Sequence, residues 1–262
     1  MKSYYFISGL PRSGSTLLSS ILSQNPDFYA DISSPLEPLT ESTIDIISFS
    51  RNNFTIEENQ RKNIMHGIFD GYYHHVEKSV IFDTSRKWTK RTNFIKYLFP
   101  YTKILCPVRD IVSILNSFEL IFSKNPFHTN ILVKNNHTVF DRCDEIASPI
   151  DGILGVPLVY LQEGFSLNPE MIYFIEYDEL CKNPEKIMKN IYNFLEKPYY
   201  NHDFENLYYS NKIYDKSCNI IDLHTVKRRV EHKKTKNVLP ESIITKYQNL
   251  NMEFWRNNNF LY

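Results

Sequence analysis

The chain has 262 residues, 42% of them hydrophobic, with 18 Tyr and 18 Phe, which supports a substantial core and argues against disorder. Thirty basic residues balance thirty acidic ones, so net charge gives no argument for nucleic acid or an anionic membrane surface. Any anion specificity has to come from local sites.

The apolar run Tyr4-Tyr5-Phe6-Ile7 predicts a strand over about 4–9, followed by a helix over about 15–24 that stops at Asn25-Pro26. Between them Gly9 and Gly14 stand five apart, as in the nucleotide-binding pattern G-x-x-x-x-G-K-[ST], but Ser15 replaces the lysine and Thr16 follows. Backbone N–H groups at a helix start are unpaired and carry the positive end of the helix dipole. Gly14 lets an oxyanion approach the backbone, Ser13, Ser15 and Thr16 add hydroxyls, and Arg12 adds a fork of donors suited to a tetrahedral anion. What is missing is the point charge that reaches the β- and γ-phosphates of a nucleoside triphosphate.

Residues 27–60 carry Pro35 and Pro38 and predict a helix near 38–50; a further helix is expected over roughly 57–76. Ser79-Val80-Ile81-Phe82-Asp83 reads as a short buried strand, with a helix from about Lys87 to Phe99. Lys103–Val108 is another buried strand ending at Arg109-Asp110, after which a helix runs toward Phe122. The stretch 123–145, with Asn135-Asn136-His137 in its middle, reads as a polar excursion. A helix near 148–165 carries Pro157, which predicts a kink or an early stop. Met171–Glu176 is a fourth buried strand, Tyr177–Leu180 opens a short helix, and Pro184 suits the first position of the next, which ends near Leu195. Residues 199–237 read as loop, and a closing helix is expected from Leu239-Pro240 to Trp255.

Strands alternating with helices imply a central parallel sheet flanked by helices, an α/β three-layer sandwich of the P-loop nucleotide-binding type. No internal repeat or composition break divides the chain, so one domain over 1–262 is expected. In such sheets ligands bind beyond the carboxyl ends of the strands, where Gly9, Asp83, Arg109 and Tyr177 are all placed. The cysteines (Cys106, Cys143, Cys181, Cys218) form no C-x-x-C pair, so reduced thiols are expected and no metal site is indicated. A first strand from about Tyr4 leaves no signal peptide, and no apolar run is long enough to span a membrane; a cytoplasmic protein is the expectation.

The segment Leu10-Pro11-Arg12-Ser13-Gly14-Ser15-Thr16-Leu17-Leu18 resembles the 5′-phosphosulfate loop of sulfotransferases that use 3′-phosphoadenosine 5′-phosphosulfate (PAPS). Its Pro-Arg-Ser-Gly form is similar to the carbohydrate and tyrosylprotein branches of that family. Pro107-Val108-Arg109-Asp110 with Ser117 resembles the family's 3′-phosphate motif, an arginine at a strand end and a serine eight residues on (117 − 109 = 8). Eight residues are close to two turns at about 3.6 residues each, so both can face one way. Phe174–Leu180 is similar to the segment whose tyrosine, here Tyr177, contacts the adenine.

The resemblance implies transfer of a sulfuryl group from PAPS to a hydroxyl or amine, giving adenosine 3′,5′-bisphosphate without a metal. It carries donor binding onto Arg12, Ser13, Gly14, Ser15, Thr16, Leu17, Arg109, Ser117 and Tyr177. Arg228 and Arg229, in the basic run 226–234, stand where the family has a late segment closing over the 3′-phosphate.

The chain departs from the family in its base. After the 79–83 strand it reads Asp83-Thr84-Ser85-Arg86, with no histidine, and only Asp31 and Glu37 stand near the tyrosylprotein branch's glutamate position, out of register. Asp83 is the expected base, with a helix cap or an ion pair to Arg86 as its competing reading; Arg86 is expected to hold the transferred group or the acceptor. At the position of the adenine-stacking aromatic there is Leu17. Phe118, Phe122, Phe127 and the 199–214 stretch suggest an apolar acceptor wall, though the same residues suit a core. A P-loop kinase and an inactive nucleotide-binding module are the alternatives. Acceptor and oligomeric state are not legible.

Overall fold

Alternation along the first strand divides the apolar residues into two layers: Tyr4 and Phe6 face one way, Tyr5 and Ile7 the other. The computed structural model describes residues 2–49, 54–125, 132–134, 138–207, 228–232, 235–248 and 255. The sheet contains β1 (Ser3–Ile7), β2 (Phe28–Ala30), β3 (Val80–Thr84), β4 (Ile104–Val108) and β5 (Ile172–Glu176) in the order β2-β3-β1-β4-β5, every pairing parallel. The helices are α1 (Ser15–Leu22), α2 (Leu36–Ser48), α3 (Glu58–Tyr72), α4 (Thr92–Leu98), α5 (Ile111–Lys124), α6 (Val139–Ala147), α7 (Gly155–Leu167), α8 (Tyr177–Lys182), α9 (Pro184–Phe194) and α10 (Glu241–Gln248).

One layer packs α1, α8 and α9 on Tyr5, Ile7, Val80, Phe82, Leu105 and Tyr173. The other packs α2 to α7 and α10 on Phe6, Ile81, Ile104, Cys106 and Phe174. This is the three-layer α/β sandwich expected of alternating strands and helices. Among the described residues no helix is long and apolar enough to cross a membrane.

Four features differ from the sequence reading. Residues 28–30 form an edge strand too short to show periodicity, paired only to β3. The expected helix over 87–99 is a 3₁₀ turn (Trp88–Arg91) followed by α4. The polar stretch 123–145 contains α6, started by a reciprocal capping box between Thr138 and Asp141. Helix α7 begins only at Gly155, which places Pro157 in the first turn, where its missing N–H costs nothing and no kink follows. The expected closing helix is described only over Glu241–Gln248 and at the buried Trp255. Asn135-Asn136-His137, Phe127, residues 208–214, Cys218, Val226-Lys227 and Lys233-Lys234 lie outside the described residues.

Central strand β1 reaches the sheet's carboxyl edge between β3 and β4, and backbone bonds continue past its end. Ser8 N–H donates to Leu105 O at 2.9 Å, Leu10 N–H to Pro107 O at 2.9 Å, and Ser85 N–H to Ile7 O at 3.1 Å. The turn after β1 is thereby clamped to both neighbours. It also lies so close to β4 that a Cβ on Gly9 would stand 2.1 Å from Pro107 O, a backbone atom that cannot swing away. Gly9→Ala should therefore lower unfolding stability by at least about 2 kcal/mol, read from urea denaturation, whereas a change within about 0.5 kcal/mol would show that this contact yields freely.

Candidate active site

Two residues wind the loop after β1 in the left-handed region, Arg12 at φ 57° and Gly14 at φ 92°. Glycine adopts that region freely; for arginine it costs on the order of 1–3 kcal/mol, so its surroundings must hold it. They do so from both ends. Arg12 O accepts from Arg109 Nη1 at 3.3 Å, and Arg12 Nε donates to Ser117 Oγ at 3.1 Å. Ser13 is buried with its hydroxyl turned inward onto Leu10 O and Pro107 O, at 2.5 and 2.7 Å. Its side chain therefore shapes the turn; the expectation of an anion-facing hydroxyl at Ser13 is corrected. Helix α1 starts at Ser15 with no side-chain cap and no acidic residue in its first turn, so the N–H groups of that turn are left for an anion. The Leu17 side chain packs into the α1 layer, which leaves only its backbone for an anion at the loop.

Arg109, just past β4, stacks its guanidinium over the Tyr177 ring at 4.3 Å from the centroid. Its Nε is buried without a hydrogen-bond partner. Burial, with a smaller contribution from Cys181, pushes the Tyr177 phenol up to about 12, so it stays protonated and neutral at physiological pH. The same ring closes on the loop: a Cβ at Gly14 would meet Tyr177 at 2.6 Å. Arg12, Gly14, Arg109, Ser117 and Tyr177, drawn from four separate segments, thus form one continuous set of contacts.

Beside Arg109 lies a cavity of about 350 Å³ lined by Ser113, Asn116, Asp178, His232 and Asn237 among others. The late segment reaches it because the Asn116 amide grips that segment twice, donating to Lys236 O at 3.1 Å and accepting from Val238 N–H at 2.8 Å. Arg228 and Arg229 do not line this cavity. Both are exposed, Arg228 on Asn206 Oδ1 and Arg229 beside Glu231. Of the basic run, the described residue that reaches the cavity is His232, 3.6 Å from Asp178.

A second cavity, about 300 Å³, opens on the other side of the loop, lined by Gly9, Ser15, Ser33, Glu37, Arg86 and Lys87 among others. Glu37 lies in the first turn of α2 and is 1% exposed, yet neither of its carboxylate oxygens has a hydrogen-bond partner. Its nearest cation is Lys87, with Nζ at 3.9 Å. Burial raises its carboxyl above the ordinary glutamate value, partly offset by Lys87. The sequence names Glu37, with Asp31, only as an acid out of the family's register, and prefers Asp83; an acid between Pro35 and Pro38 at a helix start was the available signal.

Asp83 does not face this edge. It shares the Ile81 face of β3, is fully buried, and accepts from Tyr73 Oη and Trp88 Nε1, each at 2.6 Å. Burial raises its pKa while donors from Ser34, Tyr73 and Trp88 oppose the rise. The expectation of Asp83 as an edge-facing base is corrected: both oxygens are occupied inside the core. Phe118 and Phe122, 1% and 5% exposed, belong to the core as well, so the expected apolar acceptor wall is not built from them.

A loop with an open helix start on the central strand of a parallel three-layer sheet, flanked by an arginine–tyrosine stack and by a buried acid, has the layout of a P-loop-type fold. The sulfotransferase family model matches residues 5–201, and the chain belongs to that family, whose reaction is sulfuryl transfer from PAPS. No curated protein matches the chain. Among solved structures it is similar to a sulfotransferase from Alicyclobacillus acidocaldarius (15% identity, TM-score 0.52, covering 83% of this chain and 90% of that one). It is also similar to mouse sulfotransferase SULT7A1 complexed with PAP (15%, 0.50, 98% and 88%). A third likeness is to the sulfotransferase domain from the curacin biosynthetic pathway (17%, 0.50, 76% of each).

Removing Asp83 separates a structural acid from a catalytic one. Asp83→Ala orphans the Trp88 and Tyr73 donors and should destabilise the fold by about 2–4 kcal/mol in urea, while Asp83→Asn, which can still accept from Trp88, costs less. Turnover per folded molecule should survive Asp83→Asn; a loss there at unchanged stability would return Asp83 to the chemistry.

Proposed function

We propose that Glu37 is the general base of PAPS-dependent sulfuryl transfer, and that the acceptor occupies the cavity between the loop, α2 and the turn after β3. The observation that carries this reading is a buried carboxylate with both oxygens unbonded, lining the same cavity as Gly9 and Ser15. The arrangement suits a PAPS molecule at the loop: the open first turn of α1, the left-handed Gly14 and the unpartnered Arg109 Nε all call for anionic oxygens. When bound, PAPS supplies the sulfuryl group, whose bond to the 5′-phosphate oxygen breaks as the acceptor oxygen–sulfur bond forms, the electron pair leaving with adenosine 3′,5′-bisphosphate.

This chain's residues do the rest. Glu37 accepts the acceptor's proton, which raises the nucleophile's charge as it attacks. Arg12 and the first-turn N–H groups of α1 meet charge that builds on the leaving phosphate. Arg109 and Ser117 hold the 3′-phosphate, and Tyr177, fixed by its stack on Arg109, lies against the adenosine. Arg86 faces the acceptor side. The reading favours an active enzyme over a binding module, because an unused buried carboxylate is costly to keep. We read 1–262 as one domain on one sheet. A cytoplasmic setting accords with Cys106 and Cys143, buried cysteines outside any disulfide.

Glu37→Gln should lower kcat by about 10²–10⁴-fold while adenosine 3′,5′-bisphosphate still stabilises the protein in a thermal-shift assay. An unchanged kcat would remove the base role. Because the base works only when deprotonated and burial raises its pKa, activity should climb with pH through a limb above the ordinary glutamate range. That limb should vanish in Glu37→Gln. Arg109→Ala should weaken bisphosphate binding by about 1.5–3 kcal/mol by calorimetry, the worth of a charge-assisted contact; equal affinity would take the 3′-phosphate away from Arg109.

A further inference from the structure

The segment after α9 is pinned to the end of α1 by one buried histidine. His202 is 6% exposed and ringed by Tyr192, Tyr199, Tyr200 and Phe204, with ring centroids 5.6, 6.2, 5.2 and 6.1 Å away. Its Nε2 lies 3.1 Å from Tyr192 Oη, which also accepts from Asn25 Nδ2 at 3.0 Å. The phenol has one proton to give and Nε2 is where it goes, so Nε2 accepts and the ring's own proton sits on Nδ1. Nδ1 is buried without a hydrogen-bond partner, as is Tyr199 Oη. Gln24 completes the pin, donating to Asp203 O at 2.7 Å and accepting from Asp203 N–H at 2.9 Å.

The pinned segment in turn holds the late one. Val230 N–H donates to Phe204 O at 2.8 Å and Leu207 N–H to Arg228 O at 2.6 Å, while Val230 packs in the same layer as Tyr199 and Phe204. Two residues beyond Val230 stands His232, in the wall of the cavity beside Arg109. His202 is not part of that wall; its link to the donor side runs through these backbone bonds. The seat suits only an uncharged ring. Among the described residues no carboxylate neutralises it: Asp203 is exposed and accepts from the Glu205 and Asn206 amides, and Glu185 pairs with Lys189, whose ammonium lies over Tyr199. The late segment brings Arg228, held by Asn206, and Arg229 beside Glu231. Burial accordingly holds the imidazole down from 6.5 to about 4, partly opposed by the Ile21 backbone. Protonation would also turn Nε2 from an acceptor into a donor facing the Tyr192 hydroxyl.

We propose that His202 is a positioning residue for the donor: as a neutral ring it holds residues 228–232 against the donor cavity, and on protonation in mild acid it leaves its seat, freeing that segment and weakening the hold on adenosine 3′,5′-bisphosphate. This rests on the reading of the cavity beside Arg109 as the donor side. No covalent bond changes; Nε2 takes one proton from solvent. A released ring takes that proton below 6.5 and a seated one only below about 4, so the seat is fully held above pH 6.5 and is lost as pH falls from 6.5 toward 4. Between pH 7.5 and 5.0 the seated form should be disfavoured about thirtyfold.

The test compares the full chain with His202→Gln, whose amide oxygen can accept from Tyr192 but takes up no proton, at pH 7.5 and 5.0. Amide hydrogen exchange, corrected for its intrinsic pH dependence, should show Val230 and Leu207 losing about thirtyfold protection at pH 5.0 in the wild type and less than about threefold in the variant. Calorimetry with adenosine 3′,5′-bisphosphate should show the wild type losing at least about threefold more affinity than the variant over that interval. The difference cancels titration of the ligand's phosphates, Asp178 and His232, and Glu37 has no part in it because no acceptor is present. Equal loss of protection in the two proteins would overturn the pin, and bisphosphate affinities that fall in parallel would overturn its link to the donor. If His202→Gln does not fold, Tyr192→Phe removes the hydroxyl on Nε2 and should lower both Val230 protection and bisphosphate affinity already at pH 7.5; absence of either effect would overturn the proposal. A wild type that binds no bisphosphate at pH 7.5 sinks the donor reading and the proposal with it, whereas binding unmoved by these changes sinks the proposal alone.

Discussion

The contact between Gly9 and Pro107 is the constraint on which the site depends. Proline at position 107 has no N–H to extend the β1–β4 ladder, which pairs residues only as far as Ile7 and Leu105. The chain beyond β1 instead drops onto the proline's carbonyl, which accepts from Leu10 N–H and from the Ser13 hydroxyl. That close descent is possible only without a Cβ at position 9. From it follow the left-handed turn at Arg12, the alignment of α1 and the meeting of Arg12 with Ser117. A strand that stopped one residue earlier or ran on flat would aim the helix start elsewhere.

Around this pivot the two buried acids show how surroundings decide a carboxylate's work. Asp83 and Glu37 are both removed from solvent and both raised by burial. Asp83 has donors on each oxygen and serves to bind Trp88 and Tyr73 into the core. Glu37 has no hydrogen-bond partner among the described residues, and the Lys87 ammonium beside it is loosely placed at 3.9 Å. A satisfied buried acid stabilises its neighbours, whereas an unsatisfied one facing a cavity is available to a ligand.

The sequence disclosed what is local or periodic. Loop, helix start and glycine spacing are contiguous, and Arg109 with Ser117 obeys the turn of one helix, so these could be placed without coordinates. The face of Asp83 could not. Val80-Ile81-Phe82 is apolar on both sides of the sheet, and a strand buried on both faces gives no alternation from which to read direction. Glu37 could be named only as an acid out of the family's register: its burial beside the loop is a tertiary fact inside a stretch broken by two prolines. The late basic segment was expected to act through its arginines, but the Asn116 grip delivers His232, Thr235 and Asn237 instead. Side-chain amides that catch a distant backbone leave no pattern in sequence.

The sheet order has one more consequence. Strand β1 lies between β4, whose loop carries Arg109, and β3, whose loop carries Arg86 and Lys87. In the function proposed above, donor and acceptor contacts therefore arise on opposite flanks of a single strand and meet at the loop that follows it. Changes in α2 or in residues 85–91 can reshape one substrate's pocket without crossing the Arg109–Tyr177 stack. Such an architecture is separable: it lets acceptor choice drift while the machinery for the common donor stays fixed, and it marks the segments that a chimera would exchange.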